Sequence, residues 1–245
     1  MNVGAAAARN WLLTEPEVRE AQYIAYLDDD AIVPTDWLTG LGAAVKTYPK
    51  AGVWGCQVVD HHNPAVIQSV DFHLTDARSG LAEGEGAEAG QSGESGQSGQ
   101  GGDKHFSLAE LQHQDLAFGQ FHYLRPCASV TGCCHLFDRA VLEKTGGFDI
   151  HLSPSQYDDL EHDIRVHGAG FYPVYQGHVQ VRHMKRSGKA SRTAPKAQAN
   201  ANANMYMVQQ KHPPPVIEAI RQADCKRLKQ DLATKRQWVL KNVPD

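Results

Sequence analysis

Short apolar runs alternate with amphipathic stretches along this chain. Gln22–Leu27 (QYIAYL) is apolar and aromatic-rich, predicts a strand, and ends in three aspartates. Thr35 or Asp36 can cap a helix reaching about Lys46, which Pro49 stops. Residues 52–60 (GVWGCQVVD) and 65–74 (AVIQSVDFHL) read as strands, and Ser129–Leu136 as an extended segment. Asp138–Lys144 predicts a short helix closed by Gly146-Gly147. Tyr157–His167 predicts another, with Leu160 and Ile164 on its buried face and Glu161–Arg165 as a favourable i,i+4 pair. FYPVYQ and HVQVRH predict two more short strands. From about Ala190 the pattern is helical, broken at Pro213–Pro215, with Ile217, Ile220, Leu228, Leu232 and Val239 forming an apolar stripe for docking on the body. Strands alternating with helices indicate an α/β fold.

One segment stands outside this pattern. Of the 24 residues Ser79–Gly102, Gly, Ser, Glu and Gln make up 20 and none is aromatic, so burial cannot offset ordering entropy; a disordered insertion is predicted. The rest divides into a core, residues 1–189, and a basic helical extension, residues 190–245. Charge divides similarly: residues 1–181 hold 10 Lys/Arg against 24 Asp/Glu, and residues 182–245 hold 14 against 4. The basic tail suits an anionic membrane surface, while an apolar stripe on the same tail suits docking on the acidic body. A pI near 6.3 gives no support to nucleic-acid binding. Neither a run of about 18 apolar residues nor a leader-like opening is present. Five cysteines without a C-x-x-C pair form no disulfide framework and point to a reducing, cytoplasmic setting.

Asp28-Asp29-Asp30 is the sharpest chemical feature, because carboxylates at the C-terminal end of a strand sit where open α/β sheets bind ligands. At roughly 5 Å and an effective dielectric near 20 such groups repel by about 3 kcal/mol per pair. A divalent cation relieves that repulsion, and hard oxygen ligands favour Mn or Mg; a solvated acidic turn capped by Asp30 fits the triplet equally well. Asp158-Asp159 either complements a helix dipole or offers a general base. His183 ends a strand just before Lys185-Arg186 and is either a structural histidine or a further cation ligand. The other histidines show no zinc spacing, and Cys133-Cys134-His135 is too compact for a tetrahedral site.

The order of the motifs says more than any one of them. Asn2, Gly4, Ala8, Arg9 and Asn10 precede YIAYLDDD; then come Thr131-Gly132, GGFD (146–149), DDLEHDIR (158–165), a Gly168/Gly170 turn and a strand ending in His183. Over about residues 2–188 this resembles the inverting nucleotide-sugar transferases of glycosyltransferase family 2. The resemblance implies a partial GT-A fold, Rossmann-like, with a mostly parallel mixed sheet flanked by helices. It implies a donor side at Gly4, Asp28, Asp29 and Asp30, with Asp30 and His183 on a Mn or Mg ion. It places Thr131, Gly132 and Asp149 on the acceptor side, Asp159 at the base position, and Asp158 where a Glu is customary. Glu161 replaces a customary Asp. Lys185 or Arg186 would help hold phosphate in such a site, or equally serve as surface charge. The implied partners are a nucleotide-sugar donor and a saccharide or lipid-linked acceptor, with envelope or extracellular polysaccharide synthesis as the usual setting. The absence of Q-x-x-R-W argues against a processive synthase.

The family begins with a strand and two βα units that this sequence does not carry. The expectation is that QYIAYL exposes one strand edge and that the polypeptide alone is insoluble, molten or oligomeric. Two rivals follow. One is a non-catalytic fragment or binding module lacking the nucleotide-base pocket; the other, a nucleotidyltransferase, is disfavoured by the lack of a Gly-rich phosphate loop.

Overall fold

The apolar run before the aspartates forms strand β1 (Tyr23–Leu27), with Ile24 and Tyr26 turned into the core. The structure, a computed structural model, describes residues 3–76, 104–109, 119–154, 156–184 and 195–243. Upstream of β1, an alanine-rich stretch forms helix α1 (Ala5–Leu12), and a Pro-initiated turn forms α2 (Pro16–Glu20). The remaining elements are β2 (Ala31–Ile32), α3 (Trp37–Thr47), β3 (Val53–Asp60), β4 (Ile67–Ser69), β5 (His73–Asp76), β6 (Phe106–Ala109), β7 (Leu124–Pro126), β8 (Cys134–Asp138), α4 (Arg139–Thr145), α5 (Asp158–Gly168), β9 (Pro173–His183), α6 (Pro195–Lys211) and α7 (Pro214–Asn242). The predicted insertion 79–102 lies outside the described residues.

Seven strands form one mixed sheet with the path β1-β8-β3-β9-β2; β4 pairs with β3 and β7 with β9, while β5 and β6 make a separate hairpin. The flanked α/β sheet expected from the sequence is present, with its pairing differently balanced. β3–β9 is parallel, and the other ladders of the sheet are antiparallel. The reason is β8: it runs against both β1 and β3, so those strands share a direction without touching. Consequently the C-terminal ends of β1 and β9 and the N-terminal end of β8 meet on one side of the sheet. Among the described residues β1 pairs with β8 alone, and Ala25 and Leu27 on its outer face are exposed.

Three predicted elements differ from the observed ones. Residues 65–74 split into β4 and β5, because the intervening Asp71 is buried and accepts hydrogen bonds from Tyr123 (2.6 Å) and Arg125 (2.7 Å). FYPVYQ and HVQVRH are one strand, continued through a bulge opposite Cys56/Gln57. Gly177 permits the continuation, since a Cβ there would fall 2.0 Å from the Phe121 carbonyl oxygen. Ser129–Leu136 is a turn followed by β8, not a single extended run. The helices fall close to expectation: Asp138 caps α4 by accepting from Ala140 N–H (2.8 Å), and Leu160 and Ile164 are buried on α5.

The apolar docking of α7 is confined to its first half, while beyond it Asp231 accepts from Tyr48 and Lys235 donates to the Leu124 carbonyl. Ile217 and Ile220 are buried with Leu152, Leu160, Ile164 and Val208, whereas Leu232 and Val239 are exposed. Polar clasps complete the docking. Glu161, fully buried on α5, pairs with Arg165 (2.9 Å), Lys211 (2.5 Å) and His212 (3.2 Å). Burial alone would raise its pKa; the hydrogen bonds from His212, Arg165 and Lys211 outweigh that and hold it below the usual carboxylate range. On the other side His73 bridges Asp71 (2.9 Å) and Asp224 of α7 (2.8 Å).

Candidate functional site

β1 stops at Leu27, and the chain turns through the three aspartates into β2, with Asp28 N–H donating to the Cys133 carbonyl (2.9 Å). β2 pairs with the end of β9, setting Ala31 opposite His183. That register carries His183 across more than 150 residues of sequence to the aspartates: its Nε2 lies 3.0 Å from Asp30 Oδ1 and 3.8 Å from Asp28 Oδ2. Asp30 is buried and Asp28 partly so. Burial raises the pKa of Asp28, with Arg9 and His183 opposing the rise.

The opposite ring nitrogen fixes the tautomer. His183 Nδ1 is 3.0 Å from Gln68 Oε1, while the Gln68 amide nitrogen donates to the His183 carbonyl (2.9 Å) and Asp60 (3.2 Å). With the Gln68 amide held this way, its oxygen accepts and Nδ1 carries the hydrogen, an assignment made from the surrounding bonds. Nε2 therefore faces two carboxylates. This is the arrangement in which an outer partner orients a metal-ligating histidine. Asp28, Cys133 and His183 each present one ligand atom, all within 4.8 Å of one another. The donor set fits a divalent cation.

The second half of the site is built on α1 and α5. Arg9 reaches from α1 under Asp28, its guanidinium 5.1 Å above the Phe148 ring centroid. It donates to Asp158 (2.6 Å), Asp28 (3.2 Å) and the Gly132 carbonyl (3.1 Å). One buried cation thus joins the aspartate turn to the start of α5. Asp158 is buried, and its pKa is pushed up to about 6 by burial and by neighbouring Asp159, with Arg9 opposing. Asp159 is half-buried and accepts from Gly132 N–H (2.8 Å) and Leu160 N–H (2.8 Å). Gly132 leaves little room: a Cβ would sit 3.0 Å from Arg9 Nη2 and 3.4 Å from Asp159 Cβ. One turn along α5, fully buried Asp163 accepts from Ser129 Oγ (2.7 Å) and Val130 N–H (3.0 Å), fixing the strand-entry turn that carries Thr131 and Gly132.

No protein-family model matches the chain, and no curated protein matches it. Among solved structures it is similar to GalNAc-T7, solved with UDP, GalNAc and Mn2+, at 12% identity and a TM-score of 0.45, over 74% of this chain and 30% of that one. It is also similar to the mannosyltransferase PcManGT from Pyrobaculum calidifontis, solved in complex with GDP-Man and Mn2+, at 16% identity and a TM-score of 0.40, over 97% of this chain and 60% of that one. The chain spans less than two thirds of the length of either protein.

Several predicted residues stand apart from this cluster. Gly4 caps α1 at φ +80°, against Ser153 and Pro154. Asp149 caps the short turn Ile150–Leu152 and pairs with Lys211 (3.0 Å). Glu161 holds the C-terminal helices, as above. Asp29 lies in the turn between Asp28 and Asp30, and Thr131 is half-buried beside Gly132. Lys185 and Arg186 lie outside the described residues. Three contributors had no assigned role in the sequence reading: Arg9, Gln68 and Cys133. Arg9 stood in the quoted N-terminal motif, and Cys133 beside Thr131-Gly132; Gln68 carried no local signal.

Proposed function

We propose that the protein is a divalent-cation-dependent, inverting glycosyltransferase of the family 2 type, moving a sugar from a nucleotide-sugar donor to a hydroxyl of a saccharide or lipid-linked acceptor, in envelope or extracellular polysaccharide synthesis. The observation that carries this reading is the convergence of Asp28, Asp30 and His183 on one strand-end cluster, tied through Arg9 to Asp158 and Asp159. A donor with a negative diphosphate and an acceptor needing deprotonation require those two halves side by side.

In this mechanism Asp159, the more accessible carboxylate of the dyad, takes the acceptor hydroxyl proton. The oxygen attacks the anomeric carbon from the face opposite the diphosphate, the bond to the diphosphate breaks, and nucleoside diphosphate leaves with the electron pair. Asp158 keeps Arg9 in place, and Arg9 orients Asp28 for the donor. Asp30 and His183 would hold a Mn or Mg ion, which when bound would supply positive charge for the leaving diphosphate. Asp29 would border the donor side and Thr131 the acceptor side, while Gly4 and Asp149 serve the fold as helix and turn caps.

No described helix is long and apolar enough to cross a membrane. Exposed Leu232, Val239 and Leu240 on α7, interspersed with Lys229, Lys235 and Arg236, support peripheral contact with an anionic cytoplasmic membrane face. The test is nucleoside diphosphate release from a panel of sugar nucleotides with added Mn2+. Turnover with at least one donor is expected, with Asp159→Asn lowering kcat by about 10²–10⁴-fold. No turnover with any donor, or turnover indifferent to that substitution, overturns the proposal.

A further inference from the structure

We infer that Cys133 is a sulfur ligand of the cation at this site, so that Asp28, Cys133 and His183 form a mixed oxygen, sulfur and nitrogen set selecting borderline-soft divalent ions such as zinc or cadmium over manganese or magnesium. The inference rests on the proposed cation site and redraws its ligands: His183 is kept, Asp28 and Cys133 join it, Asp30 stays beside the ring, and the ion preference moves away from the Mn or Mg that oxygen donors favour.

The three residues come from separate segments that the sheet forces together. Asp28 follows β1, Cys133 precedes β8, and His183 ends β9; the β1–β8 and β2–β9 ladders lock all three ends in register. Cys133 is 4% exposed, packed with Cys56, Val58, Cys134, Val179 and Val181. The ligand atoms lie within 4.8 Å of one another, and the Asp28–His183 separation is already 3.8 Å. Bond lengths of roughly 2.0–2.3 Å to oxygen, nitrogen and sulfur put tetrahedral ligands about 3.3–3.8 Å apart, so side-chain rotation closes the gap. Gln68 keeps the His183 ring oriented with Nε2 inward. Three protein ligands leave a fourth position for a water or a phosphate oxygen, as in sites that act on a substrate. Purely hard sites for magnesium or manganese use oxygen donors; a thiolate and an imidazole shift preference towards softer ions. On binding, the sulfur–hydrogen bond of Cys133 breaks, its proton passes to solvent, and the retained electron pair forms the metal–sulfur bond.

The experiment titrates full-length protein with Cd2+ alone and reads the ultraviolet thiolate-to-cadmium charge-transfer absorption. Exposed Cys225 is first removed as Cys225→Ser, because a surface thiol would add its own signal. One saturable equivalent is expected in that background, and its loss on adding Cys133→Ser, with Cd2+ and Zn2+ affinity falling more than about tenfold and Mn2+ affinity changing less. Cys133→Ala repeats the measurement should serine disturb the packing, with thermal melts confirming that each variant folds. Absorption that persists without Cys133, or Cd2+ and Mn2+ affinities that fall together, overturns the inference. His183→Ala separates the two levels. If it abolishes cation binding while Cys133→Ser does not, the sulfur ligand alone fails; if it leaves Cd2+ and Mn2+ binding intact, the cation site itself fails.

Discussion

Asp158→Asn should make the protein more stable at pH 8 while impairing it as a catalyst. Asp158 has a folded pKa of about 6 against an ordinary value of 3.8, because burial and Asp159 outweigh Arg9. A carboxyl whose pKa is raised on folding favours the folded state below the unfolded pKa and loses that contribution as pH rises through the folded one. At pH 8 the ionised form is therefore held at a cost of about 3 kcal/mol, from roughly two pKa units at 1.36 kcal/mol each. Asparagine removes the charge and keeps an oxygen for Arg9 Nη1, 2.6 Å away in the parent. A gain of about 3 kcal/mol raises Tm by roughly 6–12 °C in a chain of this size. The assay is thermal denaturation of both proteins from pH 4 to pH 8. The difference should be largest above pH 7 and shrink towards zero near pH 4. A variant less stable than the parent at pH 8, or a difference that ignores pH, would refute the account of Asp158 as a strained, functional acid.

Other outcomes follow from the same geometry. His73→Gln should cost about 3 kcal/mol at pH 6: burial lowers the pKa of His73, yet Asp224 and Asp71 raise it to about 9, so the contribution is complete below 6.5 and disappears as pH passes 9. Urea unfolding at pH 6 and pH 10 checks the sign. Glu161→Ala leaves Arg165, Lys211 and His212 without their shared partner and should cost about 3–5 kcal/mol. Limited proteolysis should then release α6 and α7 first. Gly132→Ala should displace Arg9 and Asp159 by a few tenths of an ångström and lower turnover by about tenfold with little change in Tm, read by steady-state kinetics beside a melt.

Where local pattern decides structure, the sequence was a good guide. β1, β3, α3, α4 and α5 fall within a residue or two of expectation, because their apolar periods and caps are local. What escaped depends on distant partners. The break between β4 and β5 needs Asp71 to meet Tyr123 and Arg125, and the joining of two strands into β9 needs Gly177 to pass close to Phe121. The antiparallel β8 is a choice of topology that no period encodes. The stripe expected to dock along all of α7 ends early: Leu232 and Val239 repeat at helical spacing yet stay exposed, because helical period alone does not say how far the body extends beneath a helix. At the candidate site the acids and His183 were legible by residue type and position. Gln68 was not, since an amide in a strand reveals its role only once His183 arrives beside it.

The clasp at Glu161 has a practical consequence for anyone reshaping this protein. It lies two residues after Asp159, on the same first turns of α5, and beside Arg165 of its own helix its partners come from the junction of α6 and α7. Removing residues from Lys211 onward would take away two of the three partners of a fully buried carboxylate and leave Arg165 alone to balance it, loosening the start of the helix that carries the dyad. The far end of α7, with Trp238, Leu240 and Val243 exposed, carries no such duty. Affinity tags, immobilisation linkers and fusion partners belong there, beyond the last helical turns, where they can be attached and cleaved without touching the chemistry.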